Sequence, residues 1–170
     1  MKDNLFLNLF RRLLTPKPPK QIRFIDTCGN TLFLLPDGGS VVITYTSGEQ
    51  FVKVCRYVDS NQIEIDGEEY YLSAFAEDCQ RTGAIIAPEP APEYYGNYRI
   101  VRKMPVPGNI IALGCDLKHY WRYVILERPL ECEDYDCPVY FTEGWKAQEA
   151  FERRARELLR SRPENRGDSK

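Results

Sequence analysis

The chain has 170 residues, of which 43% are hydrophobic, 12% aromatic and 28% charged. This mixture excludes a disordered tail, a collagen and a coiled-coil rod, and the length suits one domain or two small ones. The formal net charge of −2 excludes a protein whose whole surface is basic and binds nucleic acid. The charge is unevenly spread, because residues 1–20 and 143–170 are basic and residues 21–142 are acidic.

The first element is an amphipathic helix predicted for residues 3–14, where apolar side chains recur at helical spacing. Its apolar face, the predicted interaction helix, consists of Leu5, Phe6, Leu9, Phe10, Leu13 and Leu14. The proline-rich residues 15–20 then predict a stiff, extended linker. An apolar face ahead of such a linker packs on the body of the protein, on a partner or second copy, or on a membrane surface.

Residues 21–83 predict a small antiparallel β-meander or barrel, because turn signals recur every 8–12 residues or so. Its strands are expected at 22–26, 32–36, 41–46, 50–59, 63–65 and 70–72. A short helix, 74–81, is expected to be capped by Ser73 and stopped by Gly83.

Three prolines within the APEPAPE sequence indicate a connector over residues 84–93. Residues 94–162 then predict a second unit with strands at 97–104, 109–115, 119–128 and 138–142. A long helix over 143–162, capped by Thr142, crosses this sheet, and residues 163–170 form a polar tail. The predicted fold class is therefore α+β: a small β-unit with a short helix, followed by an antiparallel sheet packed on one long C-terminal helix.

Six cysteines raise the alternatives of disulfides or free thiols. Asn8, Arg11 and Arg12 interrupt the N-terminal apolar stretch and no small-residue cleavage site follows, which is unlike a signal peptide. We therefore expect reduced thiols and a cytoplasmic location. No apolar stretch has the roughly 18 residues that a transmembrane helix needs.

One group of residues has the chemistry of a metal site. Cys115 and His119 form one close pair, and Cys132 and Cys137 form another, so two hairpin ends are capable of supplying four zinc ligands. Their spacings are looser than those of standard zinc fingers, and the alternative is a set of ordinary thiols beside a surface histidine. We expect no cofactor, with zinc as the one candidate.

The same Cys115 and His119 are the candidate nucleophile and base of an enzyme. No orienting group or oxyanion donor accompanies them, and the chain lacks nucleophile-elbow, metalloprotease and phosphate-loop motifs. The Asp37-Gly38-Gly39 sequence indicates a hairpin turn, because no helix follows it to bind phosphate. A non-catalytic protein is therefore expected.

Basic and aromatic side chains are mixed on two predicted neighbouring strands, which is typical of a sheet that stacks bases and contacts phosphates. The candidate nucleic-acid surface consists of Tyr98, Arg99, Arg102, Lys103, Tyr120 and Arg122. The alternation places Ile100 and Arg102 on the same face of the strand. The alternative is a charged solvent face opposite a core face.

Residues 22–82 resemble uncharacterised domains of the "large polyvalent protein-associated" type, from conjugative elements and phages of gut Firmicutes. The matching features are the Pro36-Asp37-Gly38-Gly39 turn, the Cys55-Arg56-Tyr57-x-Asp59 strand end and the Phe75-Ala76-Glu77 helix start. The segments Tyr120-Trp121-Arg122-Tyr123-Val124 and Val139-Tyr140-Phe141 are similar to short proteins of the same elements. The resemblance implies a mobile-element context and no activity.

The predicted function is a non-catalytic protein-interaction or regulatory accessory protein of a mobile element or phage. Its partner is expected to be another protein or a second copy, bound through the predicted interaction helix. A nucleic-acid-binding accessory factor is the alternative, and an unrecognised enzyme is the third.

Overall fold

The computed structural model describes residues 20–160. In this range two helices accompany antiparallel strands, which confirms the coarse α+β prediction; the interaction helix and the polar tail lie outside the described residues. The strands are β1 Gln21–Ile25, β2 Thr31–Pro36, β3 Ser40–Thr44, β4 Gln50–Tyr57, β5 Gln62–Ile65, β6 Glu68–Tyr71, β7 Ile85–Pro88, β8 Tyr94–Tyr95, β9 Tyr98–Val106, β10 Asn109–Cys115, β11 Tyr123–Pro129 and β12 Asp136–Phe141. The helices are α1 Leu72–Thr82 and α2 Gly144–Arg160. Neither helix combines the length and apolar character that crossing a bilayer requires.

One ten-stranded antiparallel sheet organises most of this range, in the order β12-β11-β10-β9-β4-β3-β7. Strand β5 extends it by pairing with β4 and β6, and β8 pairs with β9. Strands β1 and β2 form a separate hairpin. Every strand pairing that the structure describes is antiparallel, as hairpin turns at short intervals predict.

The first core lies between the β1–β2 hairpin, α1 and the strands β3 to β5. Its buried side chains include Phe24, Val41 and Ile63. Helix α1 ends at Gly83, whose φ of 67° is left-handed, as predicted. The predicted Ser73 cap is wrong, because the helix begins at Leu72 and Tyr71 precedes it without a side-chain cap.

The second core lies between α2 and one face of strands β9 to β11, which we call the helix face. Ala147, Ala150 and Phe151 of α2 are buried there against Ile111, Leu113 and Ile125. Arg154 of α2 donates two hydrogen bonds to the Glu127 carboxylate of β11, from Nε at 2.5 Å and from Nη2 at 3.1 Å. The opposite face carries a small core of its own, where Tyr95, Tyr98 and Tyr135 cover Ile100, Ala112, Val124 and Leu126. We call it the tyrosine face.

Hydrogen bonding crosses the predicted boundary between the two units. Gln50 and Phe51 of β4 pair with β9, whereas the end of the same strand pairs with β5. The predicted connector 84–93 also differs, because Ile85–Pro88 pairs with β3 as an edge strand. Pro88 is tolerated at an edge, where no further strand requires its missing N–H. The division into two domains stays a prediction.

Two local predictions in the second unit are wrong. The strand expected over 119–128 begins at Tyr123, and residues 116–122 form the loop between β10 and β11. A bulge in β9 leaves Val101 between Ile100, which pairs with Gly114, and Arg102, which pairs with Leu113. The bulge reverses the side-chain alternation, so Arg102 faces α2 and Ile100 lies on the tyrosine face.

Candidate functional site

Two cations of the predicted nucleic-acid surface are paired with carboxylates from residues 84–93, the predicted connector. Arg99 donates to Glu89 and to Ser40 Oγ, the latter at 2.8 Å. Lys103 Nζ lies 2.8 Å from Glu93 Oε2. Their charges are therefore neutralised within the fold and offer little attraction to phosphates.

The third predicted cation, Arg102, is only 7% exposed. Its Nε donates to Glu49 Oε1 at 2.7 Å, and Nη1 lies 3.4 Å from Glu152 Oε1. Its guanidinium lies over the rings of Phe51 and Phe151, at 4.9 and 4.5 Å from their centroids. Arg102 therefore joins the β3–β4 turn to α2, which is a structural role. As a group, the predicted nucleic-acid surface stays a prediction.

The structure does not gather the four candidate zinc ligands. Cys115 pairs with Tyr123, whereas Asp136, next to Cys137, pairs with Glu127. Four residues along β11 separate these positions, or roughly 13 Å. Among residues 20–160, no group of three or more His, Cys, Asp or Glu side chains has the geometry to hold a metal ion.

The Cys115 thiol lacks the environment of an activated nucleophile. Burial raises its pKa, the nearby Asp116 raises it further, and Arg122 opposes both. His119 instead contacts Asp116, with Nδ1 2.5 Å from Oδ2. A thiolate is favoured by positive surroundings and by exposure to solvent. Cys115 is instead partly buried next to the Asp116 carboxylate.

The loop 116–122, which we call the aromatic loop, lies at this end of the sheet and is held by several hydrogen bonds. Asp116 organises it: the carboxylate accepts the Lys118 N–H at 2.9 Å and contacts His119. The Asp116 N–H donates to the Arg122 carbonyl at 2.8 Å and closes the loop. On the tyrosine face, Tyr98 donates its hydroxyl to the Trp121 carbonyl at 2.7 Å. The loop backbone is thus held at both ends, while its side chains are presented outward.

Large apolar side chains of this loop face solvent. Leu117 is 71%, Tyr120 78% and Trp121 51% exposed, and the rings of Tyr120 and Trp121 contact edge to face. The second tryptophan, Trp145, is 64% exposed at the start of α2. Gly144, beside it, lies against the Tyr123 ring at the same end of the sheet. We call Leu117, Tyr120, Trp121, Tyr140 and Trp145 the aromatic end.

A layer of tyrosines supports the aromatic end from beneath. Gly114 has no side chain, so Tyr98 lies across β10 and its ring centroid comes within 5.8 Å of the Tyr140 ring. Tyr95 shares a hydrogen bond with Tyr140. Exposed aromatic side chains on a rigid support are characteristic of interaction sites, because ordering them on binding costs little conformational entropy.

The cations of the aromatic loop differ from those of β9. Neither Lys118 nor Arg122 forms a salt bridge with any residue in the described range. At the opposite end of the β10–β11 hairpin, the connection from β11 to the first residue of β12 carries Glu131, Glu133, Asp134 and Asp136. The hairpin is therefore electrically polarised along its length.

We expect the aromatic loop to loosen in acid. Hydrogen bonding from the Lys118 N–H, supported by His119, outweighs burial and lowers the pKa of the Asp116 carboxyl. A lowered pKa means that the carboxylate stabilises the loop above the unfolded-state value near 3.9, and that this contribution disappears as pH falls through the lower folded value. Amide exchange of residues 117–121 should rise in that range, and an Asp116→Asn variant should show the faster exchange at pH 7. Equal protection of the loop in the variant and the parent would contradict this role.

Sequence reasoning missed part of this site. Helical spacing alone leaves either Trp145 or Ala147 as the first member of the apolar stripe of α2, and Ala147 is the one that is buried. The predicted strand 119–128 includes residues 119–122, which lie in the loop. One available signal was Asp116 followed two residues later by Lys118, since an aspartate that bonds the backbone two residues on marks a turn. The exposure of both tryptophans depends on tertiary packing and has no local signature.

Comparison with protein-family models, curated proteins and solved structures finds no match to this chain. The site is defined by its geometry: one end of the β-sheet with exposed aromatic rings and two cations that form no salt bridge within residues 20–160. These are the features of a binding surface.

Proposed function

We propose that this chain is a non-catalytic protein-interaction module that binds its partner through the aromatic end. The observation that carries the proposal is the exposure of both tryptophans at one end of the sheet. Tryptophan and tyrosine are the residues that most often dominate binding energy at protein interfaces. The raised pKa of the Cys115 thiol supports the non-catalytic assignment.

The biological context is proposed from the resemblance of residues 22–82, which implies an accessory role in a conjugative element or phage. The residues that carry this resemblance form a turn, a strand end and a helix, which suits a scaffold that presents an interaction surface. Genes for a relaxase or for transfer proteins beside the coding sequence would support this context, and a housekeeping operon would remove it.

Site-directed photo-crosslinking tests the proposed interaction. A photoreactive residue replacing Tyr120 is expected to capture a protein in the native host, and a Trp121→Ala change in the same chain should reduce the yield at least tenfold. Tyr71 is a matched control, because it is 60% exposed on β6, away from the aromatic end. A Tyr71→Ala change should leave the yield unchanged. Equal crosslinking yields from the Trp121→Ala variant and its parent would contradict the proposal.

Binding of single-stranded nucleic acid is the second candidate, favoured by Lys118 and Arg122, which lie beside two aromatic rings and form no salt bridge in the part of the chain that the structure describes. Base stacking on such rings combined with phosphate contacts is a common mode of recognition. The crosslink at position 120 separates the candidates. A protein adduct survives nuclease and is removed by protease, whereas a nucleic-acid adduct behaves in the opposite way.

A further inference from the structure

The β10–β11 hairpin carries opposite charges at its two ends. Its ladder runs from the pair Asn109 and Pro129 to the pair Cys115 and Tyr123, so the ends lie roughly 20 Å apart. The aromatic loop at one end holds Lys118 and Arg122, which form no salt bridge within residues 20–160. Residues 130–136 at the other end, which we call the acidic loop, run from the end of β11 to the first residue of β12 and hold four carboxylates without a salt bridge among the described residues.

We infer that the aromatic end of one copy of this chain docks on the acidic loop of a second copy. The inference rests on the proposed function and names its partner. Charge complementarity carries it: Lys118 and Arg122 would face Glu131, Glu133 and neighbouring carboxylates. Leu130 of the acidic loop is 53% exposed and offers apolar contact to Trp121.

The two surfaces belong to different ends of the same sheet, so the contact is head-to-tail. Such a contact leaves one free aromatic end and one free acidic loop on every open assembly, and further copies can add. The rigid β10–β11 ladder holds the two loops at a constant separation, so each added copy meets the same geometry. Open chains or a closed ring follow from the rotation that relates successive copies.

Of the two anionic occupants, a nucleic-acid strand matches the charges of the aromatic end less well than the acidic loop of a second copy does. Binding of a nucleic-acid strand needs a continuous track of cations, and Arg99 and Lys103 are already paired with Glu89 and Glu93. An acidic peptide needs only the two local charges together with apolar contact. The acidic loop supplies carboxylates for those two cations and the apolar side chain of Leu130.

Sedimentation equilibrium of the full chain tests the inference. At low ionic strength, the weight-average mass should rise above the monomer value of 19.8 kDa with concentration, and it should return to that value in about 0.5 M salt. In a Trp145→Phe background, association should also shift the Trp121 emission to shorter wavelength. A chain that stays monomeric at every concentration and ionic strength overturns the inference.

Charge reversal identifies the surfaces. Lys118→Glu with Arg122→Glu should give a monomer, and so should Glu131→Lys with Glu133→Lys. Mixing these two variants should restore association, because each then presents the charge that the other lacks. Arg23→Glu with Arg153→Glu is the matched control, since both arginines are exposed elsewhere, and it should associate like the parent.

The outcomes separate the two proposals. A monomeric parent that still captures a different protein at position 120 overturns self-docking and leaves the proposed function in place. A monomeric parent that captures no protein overturns both. A parent that binds oligothymidylate or phosphatidylglycerol vesicles through Lys118 and Arg122, without associating, overturns self-docking and assigns the surface to that anion.

Discussion

Replacing Arg102 with alanine is expected to lower the free energy of unfolding by about 3–5 kcal/mol, the range for removing one partner of a buried ion pair. The side chain is buried, bonded to Glu49 and Glu152 and flanked by two phenylalanine rings. Its loss leaves the Glu49 carboxylate poorly solvated without its cation and opens a void between β4 and α2.

Urea denaturation followed by circular dichroism measures the effect. Arg56→Ala is the matched control, because Arg56 is exposed and its Glu64 partner lies 3.8 Å away, so the change should cost at most about 0.5 kcal/mol. A Glu49→Gln change introduced into Arg102→Ala should recover part of the loss, since the uncompensated charge is removed. A loss below 1 kcal/mol, within the usual range for surface pairs, would show that Arg102 does not join the two parts of the fold as described.

Replacing Gly114 with alanine is expected to destabilise the chain by about 1–3 kcal/mol, the usual cost of overpacking. A Cβ at this position would lie 2.9 Å from Val124 Cγ1 and 3.0 Å from Tyr98 Cβ, both closer than ordinary contacts. Tyr98 would have to move, and its bond to the Trp121 carbonyl would weaken. Stability and the order of the aromatic loop should therefore fall together.

Urea denaturation and Trp121 emission in a Trp145→Phe background report both effects of Gly114→Ala. Gly96→Asn is the control, because nothing lies within 4 Å of a Cβ at Gly96 and asparagine tolerates its left-handed φ of 57°. Adding Val124→Ala to Gly114→Ala should cost less than the sum of the two single changes, since it removes one clash. Full additivity would place the strain elsewhere.

Local sequence signals predicted most of the elements. Alternating or β-branched side chains located β3 and β4, and a mostly apolar run located β10, each to within two residues; Gly83 marked the end of α1. These signals succeed because turn residues and side-chain periodicity act over a few residues. The α+β class follows from the same local information.

The candidate site was predicted only in part. Tyr98, Tyr120 and Arg122 do lie at one end of the sheet, but the grouping with Arg99, Arg102 and Lys103 depended on alternation that the bulge at Val101 interrupts. Glu89 and Glu93 lie ten residues from the cations that they neutralise, and Glu49 and Glu152 lie about fifty from Arg102. No local pattern signals such pairings.

The sequence by itself determined the α+β class, the position of most strands along the chain and the uneven distribution of charge, because propensity, periodicity and composition are local properties. Only the tertiary structure decided which charges are free. It pairs the cations of β9 with distant carboxylates, whereas Lys118 and Arg122, beside exposed aromatic rings, form no salt bridge with any other residue of the range 20–160. The physical reason is that an ion pair or a buried ring depends on which strands become neighbours, and in this chain those neighbours come from both sides of the predicted boundary.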